Sequence, residues 1–165
     1  MEDYGEFSRL YSRFLDDIFL IWCSTRQKLQ EYGDYLNSLI PGIKVTLSIR
    51  NTITEFLDTL VYRWCELRTR VFFKPTDTHQ LLYGSSFHPR HCTRGILKSQ
   101  ILRFKRISTT KADYMDACNE LFAVLKHRGY GRALYRKTRQ EILRTDQDKQ
   151  KLVTALAELN AGGGE

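Results

Sequence analysis

The sequence predicts an α+β fold in which a partly built antiparallel sheet precedes a helical lobe. Three observations carry that expectation. Aromatic and β-branched runs bounded by turn signals crowd the first half of the chain. One amphipathic helical pattern interrupts them between Ser24 and Ile40. Beyond Pro75, apolar residues recur mainly at helical spacing. At 165 residues the chain is one domain or two small lobes, long enough for a real core. The boundary is expected near Pro75: residues 1–75 form the sheet lobe, 76–160 the helical lobe, and 161–165 a flexible tail.

Tyr11 to Trp22 reads as a hairpin with Asp16 and Asp17 at its bend. A turn made only for folding would normally use Asn-Gly or Asp-Gly. Adjacent carboxylates repel, and apolar neighbours raise the cost of ionising both. A divalent cation offsets that cost. The competing reading is a solvated acidic turn. After Trp22, Ser24 and Gln27 form a capping-box pattern, and Leu29, Tyr32, Leu36, Leu39 and Ile40 follow at helical spacing. Pro41-Gly42 stops the helix. Ile43, Val45, Leu47 and Ile49 then alternate with polar residues as a half-buried strand.

A second hairpin is expected from Phe56 to Arg63 and from Leu67 to Lys74, turning at Trp64-Cys65-Glu66. In its second arm Leu67, Thr69, Val71 and Phe73 face one way, and Arg68, Arg70, Phe72 and Lys74 the other. Three cations and an aromatic on one face suit a phosphate backbone with a stacked base or sugar. The competing reading is an edge strand guarded by charge. Asp58 is expected to pair with a nearby arginine, the competing reading being a metal role.

Helices are expected from Arg94 to Ile107, and from a Thr110–Asp113 cap to a stop at Gly129. Tyr114, Ala117, Cys118, Leu121 and Leu125 form the core stripe of the second. Arg132 to Leu143 reads as a basic helix. Thr145 and Asp148 read as the cap of a further one carrying Leu152, Val153, Leu156 and Leu159. Lys98, Arg103, Lys105 and Arg106 either grip a nucleic-acid backbone or solvate their helix.

The formal charge of +7 suggests a polyanionic partner, either nucleic acid or an anionic membrane surface. No apolar run approaches the ~20 residues of a membrane span. The acidic N-terminus does not resemble a signal peptide. The widely spaced Cys23, Cys65, Cys92 and Cys118 suit reduced thiols in an intracellular protein. His79, His88, His91 and Cys92 do not match zinc spacing, and no zinc is expected.

Taken together these stretches resemble the reverse transcriptases of Penelope-like retroelements. Phe14-Leu15-Asp16-Asp17 looks like the aromatic-x-Asp-Asp box of the palm. Phe56-Leu57-Asp58 and Phe73-Lys74-Pro75-Thr76-Asp77-Thr78-His79 look like the primer-grip region. Ser86-Phe87-His88-Pro89, Ser99-Gln100 with Arg103, and Arg128-Gly129-Tyr130 resemble the thumb.

The resemblance implies two-metal nucleotidyl transfer with Mg²⁺, in which Asp16 is a metal ligand and Asp17 its less direct companion. Phe14 would line the floor under the primer end, the second hairpin would hold the primer, and the helical lobe would follow the template–primer duplex. RNA template, DNA primer and deoxynucleotide are the implied partners, and the nucleus the implied compartment. The family's fingers and first palm aspartate do not fit in the residues before Tyr11. A C-terminal palm plus thumb, inactive alone, is therefore expected. The alternative is a non-catalytic module that holds template–primer duplex.

Overall fold

The computed structural model describes residues 4–77 and 80–161, without the side chains of 148–150 and 152–161. The fold is α+β. The chain divides into two compact units, one ending at Leu67 and the other starting at Arg68.

In the first unit a 3₁₀ turn at Tyr4–Phe7 leads into β1 (Ser8–Phe14), which pairs antiparallel with β2 (Asp17–Trp22). Phe14 faces Asp17, so the hairpin closes through Leu15 and Asp16 alone. α1 (Arg26–Leu39) follows. Its cap is Thr25, whose hydroxyl oxygen accepts from the Lys28 amide at 3.3 Å. The expected cap, Ser24, was one residue early. Trp22 stacks on Tyr32 with ring centroids 5.7 Å apart, which fixes the hairpin against α1.

The strand expected from Ile43 to Ile49 does not form. Its alternation survives in half-buried Val45, Leu47 and Ile49, but its backbone is engaged elsewhere. Asn37 of α1 accepts from the Val45 amide at 2.6 Å and donates to the Val45 carbonyl at 3.1 Å. Backbone groups satisfied by a side chain have no need of a ladder. Leu47 lies over Gly33, where an added Cβ would stand 2.6 Å from its Cδ1.

The second hairpin is also rearranged. β3 (Ile53–Phe56) pairs antiparallel with β4 (Thr59–Arg63) through a tight turn at Leu57-Asp58. Asp58 thus lies in a turn that had been read as strand. With β5 (Leu67–Val71) these strands form a sheet in the order β3-β4-β5, separate from the β1-β2 hairpin. The expected single sheet is corrected to two small ones.

In the second unit α2 (Arg90–Ile107), α3 (Lys111–His127) and α4 (Arg132–Ala161) surround one core. Leu97, Ile101 and Phe104 of α2 are 0–1% exposed. At about 1.5–3 kcal/mol for each fully buried side chain, this row is a main anchor of the unit. α2 begins at Arg90 rather than Arg94. All five residues of the α3 stripe are buried. Thr110 caps α3, accepting from the Asp113 amide at 3.1 Å and donating to its carboxylate at 2.5 Å.

Gly129 adopts φ +79°, while the Tyr130 amide donates to Leu125 and the Gly129 amide to Lys126. That is the Schellman arrangement, which glycine accommodates without strain. The expected break before Thr145 is absent. Its hydroxyl donates to the Glu141 carbonyl at 2.9 Å inside one 30-residue helix.

The expected boundary at Pro75 falls within the second unit. Thr69 exchanges backbone and side-chain hydrogen bonds with Thr109, and its hydroxyl donates to the Ile107 carbonyl. Val71 joins the helical core. The end of β5 therefore belongs to the unit it is bonded into.

Candidate nucleic-acid interface

The catalytic candidates occupy the first unit and the cationic candidates the second. Asp16 sits in the β1–β2 turn and Asp17 opens β2, both exposed. Phe14 is 55% exposed and Leu15 73%. The Arg13 side chain donates to the Leu15 carbonyl at 2.8 Å across this turn. Leu15 takes φ +53°, a left-handed conformation in which a leucine is strained.

Leu57 takes φ +57° in a second Phe-Leu-Asp turn, where the leucine is half-buried. The same turn sequence thus closes two hairpins of this chain. What distinguishes the first turn is Asp17, where the second has Thr59, together with the exposure of its carboxylates. Two adjacent carboxylates suit a hard cation that keeps other ligands from water and substrate. Among the described residues no cluster of three or more histidine, cysteine or acidic side chains forms a cation site. His88 bonds Ser86 at 2.6 Å, and His79 lies outside the described residues.

The residues of β5 and its continuation divide by face only in part, since Leu67, expected on the inward face, is 51% exposed. Thr69 and Val71 turn inward, while Arg70 and Lys74 are exposed and Arg68 and Phe72 half-buried. The strand ends at Val71, so Phe72 and Lys74 lie in the segment after it. The hydrogen bonds from Thr69 bring this segment to the connection between α2 and α3.

The four cations of α2 do not form one row. Lys105 is paired with Asp146 of α4, and Arg94 with Glu141 at 2.5 Å. Hydrogen bonding from Arg94 holds the Glu141 carboxyl below its ordinary range, with further help from Lys137 and Lys98. Lys98 and Lys105 thus belong to the side shared with α4. Arg103 and Arg106 are exposed elsewhere on the helix, and Arg103 donates to Gln100 at 3.2 Å.

The connections between helices are held firmly. The Gly84 amide donates to the Arg128 carbonyl at 2.7 Å, and the Arg128 guanidinium donates to the Leu81 carbonyl at 2.7 Å. The guanidinium also lies over the Tyr83 ring, 4.9 Å from its centroid. Inside the unit Tyr135 donates to the Cys118 carbonyl at 3.0 Å, and burial pushes its phenol up to about 12. The result is three helices joined by two short, bonded turns.

Residues 80–140 match the family model of an animal helix-turn-helix domain. No curated protein and no solved structure matches the chain. The match spans the segment before α2, all of α2 and α3, and the start of α4.

Sequence reasoning named binding candidates on α2 and read Arg132 to Leu143 as basic without naming any there. Arg132, Arg136, Lys137 and Arg144 are all exposed there. Their signal was visible at helical spacing but diluted by Glu141 and Asp146. Only the fold shows that both acids are taken up by α2.

Proposed function

We propose that this chain binds nucleic-acid duplex through its second unit. The observation that carries this reading is the helix-turn-helix match over residues 80–140, on helices whose exposed faces are rich in cations. Helix-turn-helix units place one helix against a groove and another across the backbone. Arg68, Arg70, Lys74, Arg103 and Arg106 add charge for the flanking phosphates. Contact with phosphate releases condensed counterions, so log affinity falls linearly with log salt, by about 0.9 per phosphate neutralised on B-form DNA. Anisotropy titration of a labelled duplex should give a slope of several units. Affinity insensitive to salt would remove the reading.

The exposed Asp16-Asp17 turn supports a second reading of the first unit, as part of a reverse transcriptase centre like those of Penelope-like retroelements. In that reading Asp16 and Asp17 would hold Mg²⁺, and Phe14 would lie under the primer end. The metal, when bound, would stabilise negative charge on a transferring phosphoryl group. RNA template, DNA primer and deoxynucleotide would be the partners, with the sheet lobe acting as palm and the helical lobe as thumb. Mn²⁺ as a paramagnetic probe should broaden the amide NMR signals of Phe14 to Ile18 in the unsubstituted chain and spare them in Asp16→Ala. Broadening that survives the substitution would withdraw the metal assignment.

A further inference from the structure

We propose that the solvent-facing side of α4 is the groove-reading surface of this chain, and that its ligand is B-form DNA. The inference rests on the duplex-binding reading and deepens it. Tyr135, Thr138 and Ile142 define the buried side of α4. By the 3.6-residue repeat, Arg136, Lys137, Gln140, Leu143 and Arg144 turn away from that side, and each is exposed. The acids of α4 between Arg132 and Gln147 are Glu141 and Asp146. Arg94 holds the first and Lys105 the second. Between Arg132 and Gln147 the helix therefore presents cations with no uncompensated carboxylate among them.

The other helices fit the role less well. α3 exposes Asp116 and Glu120, which would meet phosphate with like charge. α2 spends Arg94 and Lys105 on α4. α4 also stands second across the α3–α4 turn, which contains Gly129 and is held through Gly84 and Arg128. Second place is the position of the groove helix in helix-turn-helix docking. Gln140, at the middle of the stripe, has the donor and acceptor that match adenine in the major groove. Leu143, 43% exposed on the same side, offers apolar contact to a thymine methyl. The flanking cations would meet phosphates.

The choice of DNA follows from groove shape. The B-form major groove admits an α-helix, whereas that of A-form RNA is too deep and narrow for its bases to be read there.

The test uses the full chain with labelled DNA and RNA duplexes of the same mixed sequence, about two helical turns long. DNA should bind at least tenfold tighter than RNA. Arg136→Glu with Lys137→Glu and Arg144→Glu should weaken DNA binding more than tenfold, and more than Arg103→Glu with Arg106→Glu. Arg136→Gln with Lys137→Gln should give a smaller loss and a shallower salt slope, and carries the test if charge reversal unfolds the chain. Failure of the unsubstituted chain to bind either duplex would overturn the functional reading along with this one. If duplex binding persists but resists the α4 changes and yields to the α2 pair, or if RNA binds as well as DNA, the α4 inference alone is overturned.

Discussion

Gly84 has almost no space around it. A Cβ built on it would stand 2.6 Å from the Gly129 carbonyl oxygen, and that atom belongs to backbone rather than to a side chain that can swing away. Gly84→Ala should therefore separate the segment before α2 from the α3–α4 turn. A cost of about 1–3 kcal/mol is expected, as for other overpacked sites. Chemical denaturation would measure it, and an unchanged midpoint with an unchanged slope would contradict the contact. Leu15 and Leu57 bear on sequence reading at the same scale. Their left-handed backbone was hidden because leucine gives no warning of φ above zero, unlike Gly or Asn. The bend was expected at Asp16 and Asp17, and it falls one residue earlier, at Leu15 and Asp16. The matching Phe-Leu-Asp turn at Leu57 shows why such a bend does not by itself imply metal chemistry.

Among the elements, those with both a cap and a core stripe were the most legible. Thr110, the five-residue stripe and Gly129 all lie where the sequence put the start, inner face and end of α3. Thr110→Ala should lower stability by about 1 kcal/mol, the usual cost of removing an N-cap oxygen. The thermal midpoint should fall, and a midpoint that held would show the cap to be dispensable. Elements that depend on a distant partner were less legible. Alternation from Ile43 to Ile49 predicts a strand, but Asn37 claims the backbone of Val45. Thr145 resembles a cap in sequence, yet it bonds back into a continuous helix. The basic character of Arg132 to Leu143 was legible, but the pairing of Glu141 and Asp146 was not, since their partners lie more than forty residues earlier in the chain.

At the scale of the molecule, the α+β character and the order of sheet elements before helices follow from the change in apolar period along the chain. The division does not, because the hydrogen bonds of Thr69 and the burial of Val71 place most of β5 with the helices. That placement gathers Arg68, Arg70, Lys74 and the basic faces of α2 and α4 into one unit. Among the described residues no helix is long and apolar enough to cross a membrane. The proposal that the charge of +7 serves a nucleic-acid partner is the central claim. The most direct test is the affinity of the full chain for a labelled DNA duplex as salt is raised from about 50 to 200 mM. The account predicts a loss of about a thousandfold or more, as for proteins that contact six or more phosphates. No binding at low salt, or an affinity unchanged across that range, would contradict it.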